Sequence, residues 1–166
     1  MAGKIVANGL KFVDVFAGCG GLSLGLERAG WECMVAIEKD QHAFQTYREN
    51  LLDNKPHGLR SWPSDVAVKP WDISCFRHEC ASFLENARGK VDLLAGGPPC
   101  QGFSHAGRRQ VGDPRNSLFL DYLSLVADLK PKAVLIENVK GFTADFGGGL
   151  PGAGRNFAAE LRERLE

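Results

Sequence analysis

The chain has 166 residues, 44% of them hydrophobic and 24% charged, enough apolar content for one globular domain with a substantial core and too much for a disordered one. Lysine plus arginine equals aspartate plus glutamate at 20 each, so the net charge of zero leaves no overall electrostatic footprint for nucleic acid. Five cysteines, odd in number and irregularly spaced, argue against a disulfide framework and for free thiols in a reducing compartment. No apolar run approaches the roughly 18 residues that cross a bilayer, and Met1 to Lys11 lacks the apolar segment of a signal peptide, so a soluble intracellular protein without membrane partners is expected.

In chain order, Phe12 to Phe16 reads as a short buried strand, the glycines of Ala17 to Gly21 as a turn, and Leu22, Leu24 and Leu26 as a helix stopped at Gly30. A second strand over Cys33 to Ile37 ends on Glu38, Lys39 and Asp40, and a helix is expected from Gln41 to Leu52. Asn54 to Lys69 is a turn-rich connector with at most a short third strand at Val66 to Val68. Asp72 and Ile73 then lead into a helix expected from Cys75 to Arg88, which Gly89 ends.

A fourth strand, Val91 to Ala95, runs into Gly96, Gly97, Pro98, Pro99 and Cys100. Two prolines fix φ and remove two backbone donors, so the turn that presents this thiol is stiff. A polar loop reaches Arg115, a helix capped by Asn116 or Ser117 runs to Leu129, and a fifth strand, Ala133 to Ile136, ends in charge at Glu137. A closing helix is expected over Arg155 to Glu166. Alternating apolar strands and helices imply an α/β fold: a mostly parallel, Rossmann-like sheet with helices on both faces.

In such a sheet ligands bind beyond the carboxyl ends of the strands. The glycine turn, Glu38, Cys100 and Glu137 all fall there. A turn of the form Gly18-x-Gly20-Gly21 lets a ligand lie against bare backbone, and an acidic residue about 20 positions on can accept hydrogen bonds from ribose hydroxyls, which points to a nucleoside cofactor. Ser23 stands where the dinucleotide pattern has its third glycine, which weakens a nicotinamide reading. A free cysteine is ordinarily a small buried hydrophobe, and Cys33, Cys75 and Cys80 are read so. Cys75, His78 and Cys80 lack a second ligand pair, and no metal site is expected.

The ordered blocks FAGCGG, IEKD, WDIS, GGPPCQGFS, DPRNSLF and IENVKGF, spanning Phe12 to about Phe142, resemble the C5-cytosine DNA methyltransferase family. That resemblance implies S-adenosylmethionine as cofactor, held by Phe16, Gly18, Cys19, Gly20, Glu38, Lys39, Asp72, Ile73, Pro98 and Leu118. It implies Cys100 as the nucleophile that adds to carbon 6 of a flipped cytosine, and Glu137 as the acid at its N3, with Asn138 beside it. Arg108, Arg109 and Arg115 would face phosphates of double-stranded DNA. The resemblance further implies a bacterial, cytoplasmic, nucleoid-associated enzyme. Residues 1–166 would be one partial catalytic domain without the target-recognition region, needing a second polypeptide for that region and for the later motifs. A catalytically idle cofactor-binding or dimerisation module, and a methyltransferase acting on RNA, are the alternatives.

Overall fold

The computed structural model describes residues 7–53, 62–98, 115–137 and 162. Among them, four parallel strands form one sheet in the order β2-β1-β3-β4: β1 (Lys11–Val15), β2 (Glu32–Ile37), β3 (Leu93–Gly96) and β4 (Ala133–Ile136). The central strand β1 is buried on both faces, with Phe12, Val13 and Val15 supplying the apolar contacts and Asp14 the one polar side chain among them. Its register pairs Phe12 with Cys33 on one side and with Leu93 on the other, with an irregularity between Phe12 and Val13.

Helix α1 (Gly21–Arg28) covers one face, where Leu22 and Leu26 pack on Phe12, Cys33, Leu93 and Ala95. Helix α2 (Gln41–Tyr47) places Phe44 and Tyr47 against Ala17 and Ala36. The helix expected over Gln41 to Leu52 is α-helical only to Tyr47; Arg48–Asp53 continues as a π-helical segment that keeps Leu51 and Leu52 buried. On the other face α3 (Ile73–Glu79), α4 (Ala81–Ala87) and α5 (Arg115–Leu129) close over Val13, Val15 and Leu94.

Three expectations need correction. The single helix from Cys75 to Arg88 is two helices joined at Cys80, whose φ of −106° and ψ of 31° leave the α-region although no glycine or proline marks the place. The hydrogen bonds from Cys80 N to Phe76 O and from Leu84 N to Cys80 O run through the joint, and Cys80 stays in the core. The helical part also starts earlier, at Ile73, because Asp72 caps it. Val66 to Val68 form no strand: the Trp62 indole donates to Val66 O at 2.7 Å and the Trp71 indole to Ala67 O at 3.0 Å, occupying carbonyls a ladder would use. Cys75 is exposed, whereas Cys33 and Cys80 are buried as expected. The closing helix over Arg155 to Glu166 lies outside the described residues apart from helical Arg162.

Strand β4 forms an edge of the sheet among the described residues. Val134 and Ile136 pack on the core, while Ala133 and Leu135 on the α1 side are exposed, Leu135 to 42%. No helix of the described residues is long and apolar enough to cross a membrane.

Candidate functional site

The chain leaves β1 through three left-handed residues in quick succession: Phe16 at φ 60°, Gly18 at 55° and Gly20 at 91°. For a bulky side chain such as Phe16 this conformation costs about 1–2 kcal/mol and persists only when its surroundings impose it. Here they do. Ala17 N–H donates to Ile37 O, Gly20 N–H donates to Ala17 O, and the Phe16 ring stacks on Tyr122 with centroids 6.4 Å apart. Tyr122 is fully buried and its hydroxyl donates to Leu94 O at 3.4 Å. Burial first, and the charge of Asp14 second, push its phenol well above the ordinary range, so it stays neutral.

The turn is held from the neighbouring strand by a carboxylate. Glu38, at the end of β2, accepts the Gly18 N–H on Oε2 at 2.9 Å and the Asp40 N–H on Oε1 at 2.7 Å. Each oxygen keeps a further lone pair, so the side chain is oriented without being exhausted. A methyl group placed on Gly18 would meet nothing within 4 Å, which leaves that side of the turn open. Helix α1 begins at the turn with no side-chain cap and no acidic residue in its first turn. Open backbone at the positive end of a helix, next to a carboxylate with spare acceptor capacity, suits a ligand with hydroxyls to donate and an anionic or electron-rich group.

Lys39 and Cys19 are exposed beside it. Asp72 is brought near through its neighbour, since Trp71 N–H donates to Glu38 O at 2.7 Å. The Asp72 carboxylate itself serves α3, accepting from Ser74 N at 2.9 Å and Cys75 N at 3.4 Å, and the Ile73 side chain is buried in the core. Asp72 is thus half-buried with a structural task.

The second half of the site lies at the ends of β3 and β4. Glu137 N–H donates to Gly96 O at 2.9 Å, and a methyl on Gly97 would lie 3.1 Å from Glu137 Oε2, so this exposed carboxyl rests against the backbone that leads into Pro98. Gly96 admits no side chain, because a Cβ there would stand 2.7 Å from Val15 O. Pro98 is buried and Leu118, on α5, is half-buried against the core. Cys100, Arg108, Arg109 and Asn138 lie outside the described residues, as does the side chain of Arg115, which opens α5.

The expected site residues that are described therefore gather at the carboxyl ends of all four strands, with Gly18 and Glu38 in direct contact. Sequence reasoning missed Tyr122, the ring beneath Phe16, and the Trp71–Glu38 bond; the first carries the periodicity of a core residue and the second is a backbone contact. A groove of about 330 Å³ lined by Arg77, His78, Leu84, Arg88 and Asp128 lies elsewhere, at the helix ends that lead back into β3 and β4. Its arginines are engaged, Arg77 with Asp128 at 2.7 Å and Arg88 with the carbonyls of Ala127 and Asp128.

The family model of C-5 cytosine-specific DNA methylases matches residues 10–148. The Type II methyltransferase M.AgeI of Thalassovita gelatinovora is 40% identical over 141 residues, covering 85% of this chain and 30% of that protein. M.DdeI of Desulfomicrobium norvegicum is 41% identical over 132 residues, covering 80% of this chain and 28% of the relative. M.HgiGI of Herpetosiphon aurantiacus is 37% identical over 131 residues, covering 79% of this chain and 91% of the relative. This chain thus spans about a third or less of the length of M.AgeI and M.DdeI. Among solved structures, a candidate DNA modification methyltransferase encoded within a prophage, from E. coli, superposes with a TM-score of 0.62 at 32% identity, covering 94% of this chain and 37% of its own. A SAM-dependent methyltransferase from Agrobacterium tumefaciens shares the fold at a TM-score of 0.52 and 18% identity, covering 94% of this chain and 42% of that one.

Proposed function

The chain belongs to the C-5 cytosine-specific DNA methylase family, and on that premise we propose that it is the cofactor-binding and nucleophile-bearing part of a DNA (cytosine-5)-methyltransferase. The observation that carries the reading is the family match over residues 10–148, which takes in Glu38, Cys100 and Glu137 together. The contact of Gly18 N–H with Glu38 at 2.9 Å and the seat of Glu137 against Gly97 support it.

In this reading S-adenosylmethionine, when bound, supplies an electrophilic methyl group. The Gly18 to Gly20 backbone and Phe16 line its site, Glu38 accepts from the ribose hydroxyls, Lys39 flanks the adenine, and Pro98 and Leu118 line the methionine end. Asp72 and Ile73 contribute at the adenine edge, Asp72 mainly by fixing the start of α3.

Cytosine carbon 5 is too weak a nucleophile on its own. The Cys100 thiolate forms a bond to carbon 6, the 5,6 double bond opens, and electron density moves toward N3, where Glu137 delivers a proton. The product of that addition is enamine-like at carbon 5. Once carbon 5 carries its methyl group, its proton is lost to water, the double bond is restored, the thiolate is expelled and the N3 proton returns to Glu137. The base must be turned out of the duplex for either carbon to be reached.

The substrate in this reading is double-stranded DNA, with Arg108, Arg109 and Arg115 facing its phosphates. A net charge of zero gives this piece little general phosphate affinity, so a second polypeptide supplying the target-recognition surface is part of the proposal.

Trapping on a 5-fluorocytosine duplex with S-adenosylmethionine and a candidate recognition-bearing partner tests the reading. A covalent adduct is expected, and its loss in Cys100→Ser. A wild-type chain that binds S-adenosylmethionine yet never forms the adduct with any such partner would instead identify an idle cofactor-binding module.

A further inference from the structure

Below the glycine turn, out of reach of any ligand, four polar side chains are buried in a row. Ser23 of α1 donates its hydroxyl hydrogen to Asp14 Oδ2 of β1 at 2.7 Å. Ser23 Oγ also lies 3.2 Å from the Tyr47 hydroxyl of α2, and because the serine hydrogen is committed to Asp14, Tyr47 is the donor in that pair. Cys33 Sγ of β2 stands 3.6 Å from the same hydroxyl. None of the four side chains is more than 1% exposed.

A carboxylate, two hydroxyls and a thiol in a core are an expensive choice where apolar side chains would pack as well; what such a chain adds is a single geometry, because each bond polarises the next and each partner is needed. This one joins all four elements around the turn: β1, α1, β2 and α2. Its other end touches the turn directly. A Cβ on Gly20 would come within 2.7 Å of Tyr47 Cδ2, so the Tyr47 ring forms the floor on which Gly20 sits, and the hydroxyl of the same ring is held by Ser23.

We infer that Ser23 and Tyr47, anchored on Asp14, are positioning residues for the glycine turn: they hold the Gly18 and Gly20 amides in register with the Glu38 carboxylate and thereby set cofactor affinity. The inference rests on the cofactor reading given above. Neither residue touches the ligand; each acts through the backbone it supports.

Tyr47→Phe in the full chain removes one hydroxyl and keeps the ring. S-adenosylmethionine binding by titration calorimetry is expected to weaken about fivefold, the ordinary worth of one buried hydrogen bond. Exchange of the Gly18 and Gly20 amides, followed by NMR without ligand, is expected to quicken by a similar factor. Ser23→Ala should give the same pair of changes.

Val126→Ala, on the opposite face of the sheet, is the control for general loosening and should leave both readouts within about twofold of wild type. Unchanged affinity and exchange in Tyr47→Phe would overturn the inference, as would an equal loss in Val126→Ala. Because amide exchange needs no ligand, a wild-type chain that failed to bind S-adenosylmethionine would sink the cofactor reading while exchange still decided the positioning role.

Discussion

Gly18 and Gly20 stand two residues apart in the same turn, both left-handed, yet an alanine at each should behave oppositely. At Gly18, with φ 55° and open space where a Cβ would go, the substitution meets only backbone strain of about 1–2 kcal/mol, offset by about 0.4–1 kcal/mol from the stiffer unfolded chain. The net loss should stay below about 1.6 kcal/mol. At Gly20 the same terms apply at φ 91°, and the new methyl also overlaps the side chains of Tyr47 and Leu51. Tyr47 has little room to retreat, being pinned by its hydroxyl and stacked on Phe44 with centroids 6.0 Å apart, and Leu51 is buried beside it. Overpacking of this kind adds about 1–3 kcal/mol, so the loss at Gly20 should exceed that at Gly18 by about that amount. Urea unfolding followed by tryptophan fluorescence, with unchanged m-values, measures both. Cofactor affinity should rank the other way relative to stability, because the Gly18 methyl projects from the open side of the turn and disturbs a ligand without disturbing the fold. If the two alanine variants lose stability equally, within about 0.5 kcal/mol, the account of Gly20 as a packing position is wrong.

Asp72→Ala should cost about 1 kcal/mol through loss of the α3 cap, whereas Asp72→Asn, which keeps an acceptor for Ser74 N–H, should cost less than half of that in the same unfolding assay. Asp92 accepts from Lys132 Nζ at 2.7 Å and from Lys11 N at 2.8 Å, and the Lys132 hydrogen bond first, the Lys11 backbone bond second, hold its carboxyl below the usual range. Its stabilising contribution is therefore present above the unfolded value near 3.9 and is lost as pH falls through the folded one. The stability gap between wild type and Asp92→Asn should be constant from pH 5 to 7 and shrink below about pH 4; a gap that widens on acidification would contradict it. On β4, Leu135→Lys should change stability by no more than about 0.5 kcal/mol, and Val134→Lys, whose side chain packs on the core, by at least about 1 kcal/mol. Equal losses at the two positions would mean that the register of β4 is wrong.

Much of the frame is written in short apolar runs. Phe12 to Phe16, Cys33 to Ile37, Val91 to Ala95 and Ala133 to Ile136 all lie on strands, within a residue or two at their ends, because short, mainly apolar runs of this length suit the strands of a sheet covered by helices. Residues placed just after such runs fall at one edge of a parallel sheet, which is why the sequence alone could place Glu38 and Glu137 at the same edge. What could not be read depended on tertiary partners. The break at Cys80 carries no glycine or proline, and the π-helical widening after Tyr47 has no breaker either. The indoles of Trp62 and Trp71 turn Val66 to Val68 into a loop through side-chain bonds that propensity does not contain. Asp14 looks like one polar residue on a strand until Ser23 and Tyr47 are seen to meet it, and Ser23 first registers only as a departure from a glycine pattern.

The strand order also sets a timetable for folding. Phe12 pairs with Cys33 across a short local connection and with Leu93 across a separation about four times longer. Two doublings of loop length cost about 1.2 kcal/mol in closure entropy, so the unit β1–α1–β2 has the lower barrier, and it is also the first to be synthesised. The side of the sheet that carries the glycine turn and Glu38 can close around its buried polar chain before β3 is available to pair. Strand β3, which leads to Cys100, is then added against a β1 edge already set in register, and β4 comes last. An order of this kind exposes the growing β1 edge only while some 55 residues between β2 and β3 are being made, a window set by chain length and elongation rate rather than by sheet stability.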